Sequence, residues 1–216
     1  MNLQEYLKSM VKDNCPPNCR LSREGVEIAR VPPPNEILGI IISRDPPISW
    51  WHFYRFAMAE NQEDTARKML YASAIPGLLM DRIWAFMGER INWSDLESLY
   101  NIVFKKVYWT HLHKCFTDKS QEKTVFKPRD ATICANQWLK EELLLVITEG
   151  AQFILTLGRE AQNWIEKWQK EAKESEKVKV IKLPHPSGLN RKWNNKNDKN
   201  ILTQVRLLID ICRLKS

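Results

Sequence analysis

Apolar runs rich in β-branched residues alternate along the chain with stretches whose apolar positions recur at helical spacing. Residues 36–42 (EILGIII) form an unbroken apolar run that stops at 43–47 (SRDPP). Such a run reads as a strand buried on both faces and followed by a loop. Residues 107–111 (VYWTH), 152–157 (QFILTL) and 178–183 (VKVIKL) read as three more strands. Between the first two, residues 50–100 carry helical spacing, clearest over 65–87, with a break at Ile75, Pro76 and Gly77. Residues 134–149, 158–173 and 199–213 read as further helices, and 3–11 as a short one. Prolines at 16–17 and 32–34 exclude helix there, because proline removes a backbone donor and fixes φ. Residues 1–35 are therefore expected to form an irregular N-terminal segment.

Strands separated by helical stretches imply parallel pairing through right-handed crossovers. The expected fold class is α/β: a three-layer α/β/α sandwich with a central four-stranded parallel sheet, in one domain spanning residues 1–216. In such sheets ligands sit beyond the carboxyl ends of the strands. The segments 43–47, 111–115 and 184–191 all follow strands on that side, so they are expected to converge on one cleft.

Composition narrows the function class. With 44% hydrophobic and 27% charged residues and only seven glycines, neither disorder nor a repeat array is indicated. No apolar run reaches the length of a membrane span, and MNLQE lacks the basic-then-apolar pattern of a signal peptide. A cytoplasmic, monomeric protein with no membrane partner is expected. The net charge of +7 and a pI of about 9.1 favour a polyanionic partner. Most of the nine tryptophans are expected to be packing residues.

Two short motifs carry the chemistry. Residues 185–191 (HPSGLNR) close the fourth strand, and 43–47 (SRDPP) close the first. Together, in this order and each at a strand end, they resemble the signatures of the uracil-DNA glycosylase superfamily. The first is most similar to the mismatch-specific branch, and the second is similar to the Gly-Gln-Asp-Pro-Tyr signature, with Asp45 and Pro46 on its aspartate and proline. Cys15 and Cys19, followed by Cys115 and Cys134, resemble in order and approximate spacing the cluster ligands of the iron-sulfur uracil-DNA glycosylases. The first pair departs from that pattern, with three intervening residues where the family has two. The resemblance implies a 4Fe-4S cluster on these four cysteines, tying the N-terminal segment to the domain. Zinc and four unconnected reduced thiols are the alternatives, disulfides are not expected in a cytosolic protein, and Cys212 reads as core.

The resemblance also implies a mechanism. Such enzymes flip a nucleotide out of DNA, stack its base on an aromatic ring, and break the glycosidic bond through an oxocarbenium-like sugar. Asp45 would position water and stabilise the sugar cation, unless it merely forms an Asp-Pro turn. His185 would donate to the departing base, unless it is a structural histidine. Leu189 would wedge into the vacated stack, unless it is core, with Ser187 and Gly188 approaching the DNA backbone and Arg191 on a phosphate or the widowed base. Base reading falls to His111, where relatives carry asparagine, with Ser43 beside it and Tyr71 as stacking ring; a helix-core role for Tyr71 is open, with Trp50, Trp51 and Phe53 as alternatives. Arg44 stands where relatives have glutamine or glutamate, and could bind a phosphate or pair with Asp45. The expected function is a monofunctional DNA glycosylase of base-excision repair acting on a deaminated base, uracil first, hypoxanthine or xanthine next. The alternative is a superfamily member that binds DNA or a base without cleaving.

Overall fold

The structure is a computed structural model that describes residues 1–24, 26–59 and 62–214. Helix α1 (Leu3–Ser9) is closed at its start by a capping box between Asn2 and Glu5. A short helix α2 (Arg20–Arg23) follows the proline-rich turn. Strand β1 (Gly39–Ser43) leads into α3 (Trp51–Ala59), α4 (Glu63–Ser73), α5 (Ile75–Met87) and α6 (Trp93–Lys106). Strand β2 (Val107–His111) follows directly, then α7 (Pro128–Cys134), a π turn (Ala135–Leu139) and α8 (Lys140–Thr148). The rest of the domain is β3 (Phe153–Leu157), α9 (Arg159–Glu171), β4 (Lys179–Leu183) and α10 (Lys199–Arg213).

The predicted 50–100 stretch is thus four helices, of which the last runs on to Lys106; residues 60 and 61 lie outside the described residues. The break expected at residues 75–77 is present: α4 ends at Ser73 and α5 starts at Ile75, with Pro76 in its first turn, which has no use for the missing N–H. Gly88 turns the chain after α5 at φ +52, where a side chain would be strained. The helix predicted to begin at Cys134 begins instead at Pro128, again with proline in its first turn.

All four strands are parallel, in the order β2-β1-β3-β4, as the three-layer reading requires. Alternation along the strands divides the core in two. Ile41, Trp109, Leu155 and Ile181 face α3 to α6 and α10. Ile40, Ile42, Tyr108 and Ile154 face α1, α7 to α8 and α9. The N-terminal segment is fastened by backbone pairing: Ile28 bridges Cys115 antiparallel, Ala29 N–H donates to Lys114 O (2.8 Å), and Phe116 N–H donates to Glu27 O (3.2 Å).

The chain departing β2 stays inside the molecule. His113, Lys114 and Cys115 are all buried. Lys114 Nζ lies 2.6 Å from Glu142 Oε2 and 2.5 Å from Thr110 Oγ1, an ion pair enclosed between β2 and α8. Burial pushes the Glu142 carboxyl up while the Lys114 ammonium pulls it down; the short contact to both partners favours the charged pair.

Candidate active site

The carboxyl ends of β1, β3 and β4 open onto a cleft of about 700 Å³, lined among others by Arg44, Asp45, Thr117, Gly158, His185 and Leu189. Two loops expected to converge, 43–47 and 184–191, do so. The third, 111–115, does not line the cleft; the chain just beyond it does, at Thr117, Asp118 and Lys119.

Asp45 is held on both oxygens. Arg44 Nε donates to Oδ1, and the Thr117 hydroxyl donates to Oδ2. Its side chain is 4% exposed. Thr117 is fixed in turn by the backbone: its N–H donates to Pro46 O (2.9 Å), and its carbonyl accepts from Ile48 N–H (2.7 Å). The Arg44 guanidinium also lies 4.4 Å above the Phe126 ring, and its pairing with Asp45 is one of the two roles foreseen for it.

His185 leaves β4 into a turn fixed at several points. Ser187 N–H donates to His185 Nδ1 (3.2 Å), the Trp193 indole donates to His185 O (3.2 Å), and Arg82 Nε donates to Pro186 O (3.0 Å). An Nδ1 that accepts carries no proton, so the neutral ring holds its hydrogen on Nε2. Burial keeps the ring neutral by lowering its pKa, and Arg44 adds to that effect against the opposing charge of Asp45. Gly158 turns the chain beyond β3 at φ +92, a conformation that would strain any side chain, beside the His185 Cβ. The result is a positioned N–H donor on the same cleft as a positioned carboxylate.

The turn continues to Leu189, which is 87% exposed at the rim. Ser187 is half-buried, while Gly188 and Arg191 are exposed. Such a leucine contributes nothing to the core.

Three residues expected to touch the base sit elsewhere. Tyr71 is fully buried, edge-on to Trp109 and Phe104, with its hydroxyl donating to Val107 O at 2.6 Å. That takes it out of the stacking role, because helical spacing cannot say which of two apolar surroundings a tyrosine faces. Ser43 is likewise enclosed: its hydroxyl donates to Thr110 O (3.4 Å) and accepts from the Trp109 indole (3.1 Å). His111 is 1% exposed and does not line the cleft. It pairs in register with Ser43, its ring lies 4.9 Å from Trp109 and 6.4 Å from Trp50, and its Nδ1 is buried without a partner.

Other contributors went unread in the sequence. Thr117, Lys119, Gly158 and Glu160 all line the cleft. Gly158 and Glu160 follow a predicted strand end, a signal available from the topology alone. Trp50, next to the cleft-lining Ser49, is half-buried, and its indole N–H is also buried without a partner.

A family model described as the Uracil DNA glycosylase superfamily matches residues 58–208. The chain belongs to this superfamily. Within it, the matched span includes the whole His185 turn and begins after Asp45. No curated protein matches the chain. As a uracil DNA glycosylase superfamily protein it has the parallel sheet and strand-end cleft of its α/β fold, and no helix among the described residues is long and apolar enough to cross a membrane.

The four cysteines gather beside this region. Cys19 and Cys115 pack with Leu21 and Ile28 in a small cluster that Cys15 joins. Cys115 Sγ accepts from Lys12 Nζ (3.2 Å), and Cys134 Sγ accepts from Lys114 N–H (3.3 Å). Burial pushes the Cys115 thiol up to about 11 and Cys134 further in the same direction, each raised also by the other cysteines. Among the described residues no three His, Cys, Asp or Glu side chains converge closely enough to hold a single metal ion.

Proposed function

We propose that the chain is a monofunctional DNA glycosylase that hydrolyses the N-glycosidic bond of a flipped-out deaminated base. One observation carries this: a fixed carboxylate and a neutral histidine with its proton on Nε2 share one cleft. Departure of the base leaves a sugar with cationic character, which the Asp45 carboxylate stabilises while aligning water. Negative charge develops on the base oxygen, and the His185 Nε2–H donates to it. Leu189 fills the gap in the stack, and Arg191 and the neighbouring basic residues hold the phosphates. The net charge of +7 supports damaged DNA as the partner.

Base reading by Trp50 and His111 requires the cleft to deepen toward their rings, since neither lines it as it stands. Each carries a buried ring nitrogen without a partner among the described residues, which leaves it open to a ligand or to water. A neutral histidine can donate or accept at Nδ1, which suits uracil first and admits hypoxanthine or xanthine.

Cys15, Cys19, Cys115 and Cys134 fit a 4Fe-4S cluster by their chemistry: three thiols pack in one cluster, Cys134 is near enough to feel Cys115 and Cys19, and two of the sulfurs accept hydrogen bonds. Four cysteines that each bind their own iron need not touch one another, as ligands of one zinc ion must. When bound, such a cluster would tie the N-terminal segment to the exit of β2. Visible absorbance of anaerobically prepared protein tests this; colourless protein with stoichiometric zinc overturns it.

The second reading, DNA or base binding without cleavage, is favoured by the Arg44–Asp45 pair, since a guanidinium on the carboxylate weakens its pull on a sugar cation. Labelled oligonucleotides carrying uracil, hypoxanthine or xanthine, single-stranded and paired, followed by alkali, decide between the two. Strand scission abolished by Asp45→Asn and His185→Ala supports the glycosylase; no scission with any substrate overturns it.

A further inference from the structure

The exposed large apolar side chains of this protein include two groups. Ile48, Leu78 and Leu189 border the cleft. Trp84, Trp93 and Tyr100 line a different groove, of about 680 Å³, between α5 and α6.

Those three rings are 48%, 71% and 49% exposed. Trp84 and Trp93 meet edge to face at 6.3 Å and 87°, while Tyr100 is stacked on Phe104 at 4.3 Å. Exposed aromatics grouped this way mark a recognition surface more often than a defect of folding. The groove also holds two carboxylates, Asp81 and Glu97, both exposed. Neither has an ion-pair partner among the described residues, on a chain with 33 lysines and arginines.

We infer that this groove is a docking site for a basic segment of a partner protein, taking a lysine or arginine side chain among Trp84, Trp93 and Tyr100, with Asp81 and Glu97 facing its charge. Ring faces attract a cation through their quadrupoles, and flanking carboxylates add to that attraction. The same carboxylates repel phosphates, which sets the groove apart from the basic turn at Arg191 and disfavours nucleic acid as its occupant. The inference is independent of the proposed glycosylase activity.

Its position gives it a second interest. Leu78 on α5 borders the cleft, Arg82 on the same helix holds the Pro186 carbonyl, and Asp81 and Trp84 belong to the groove. A partner seated here would rest on the helix that braces the His185 turn.

Fluorescence anisotropy with a labelled peptide of alternating arginine and alanine, and with its glutamate counterpart, tests the inference. Saturable binding of the arginine peptide alone is expected, weakened at least tenfold by Trp93→Ala and by the pair Asp81→Asn with Glu97→Gln. Both alterations lie on the surface, and circular dichroism checks that the variants are folded. Equal binding of both peptides, or binding unaffected by these variants, overturns it. So does a labelled single-stranded oligonucleotide that loses affinity on Trp93→Ala, or a dimer that Trp93→Ala separates on size exclusion, since each names another occupant.

Discussion

Thr117 and Asp45 are joined by a hydrogen bond from the threonine hydroxyl to the Asp45 carboxylate, across a distance in sequence that no local motif records. Arg44 holds the other oxygen. The two partners act on the carboxylate differently: the neutral hydroxyl orients it, whereas the guanidinium also offsets its charge. Removing the orienting bond by Thr117→Val is expected to lower kcat roughly five- to tenfold, the equivalent of about 1 kcal/mol. Arg44→Gln is expected to raise kcat by up to about fivefold, the scale of a partly exposed ion pair. Single-turnover cleavage rates check both, and two changes in the same direction would remove the distinction.

Leu189 is the next test. Because it is 87% exposed, Leu189→Ala should change stability by less than about 0.5 kcal/mol. Its loss should instead slow excision from duplex DNA on the order of tenfold, and far less from single strands, where no stack has to be filled. Equal slowing on both substrates would argue against a wedge.

The histidines predict how stability varies with pH. Burial pulls His111 well below its ordinary value of 6.5, and burial with the charge of Arg44 lowers His185. Both rings bind a proton more weakly in the folded chain than in the unfolded one. Their contribution is neutral above the ordinary pKa, and stability is lost as the pH falls below it, where only the unfolded chain takes up protons readily. Tm should therefore drop between pH 7.5 and pH 5.5, and the drop should be smaller in His111→Gln. An unchanged drop would assign the effect to other groups.

Lys114 and Glu142 test the core. Glu142→Leu leaves an ammonium enclosed without its counter-charge and should cost about 3–5 kcal/mol. Pairing it with Lys114→Met should recover most of that loss, since an apolar pair of similar volume needs no desolvation. Urea midpoints at unchanged m-value measure both.

The layer architecture was legible because each strand is an apolar run bounded by turn residues, and the cleft followed from where those runs end. Asp45 and His185 both line it because each stands just past a strand end. What escaped was decided by contacts between distant parts of the chain. Lys114 reads as a surface lysine until α8 brings Glu142 against it. Tyr71 reads as a plausible stacking ring until Val107 accepts its hydroxyl. Thr117 stands in a segment without periodicity, and its value arises only where that segment pairs with Pro46 and Ile48. Asp81, Glu97 and the three groove aromatics lie on two helices with nothing in their spacing to join them.

The antiparallel pairing of residues 27–29 with 114–116 imposes an order on assembly. The earlier partner leaves the ribosome long before the later one exists, and everything between them belongs to β1, the four helices of the crossover and β2. Residues 27–30 also meet Trp51 and Tyr54 on α3, but their strand pairing must wait for that half of the sandwich. This pairing is thus a closing event in folding time although the segment precedes its partner in the chain, and conditions that slow the crossover helices will leave the segment exposed to proteases for longer.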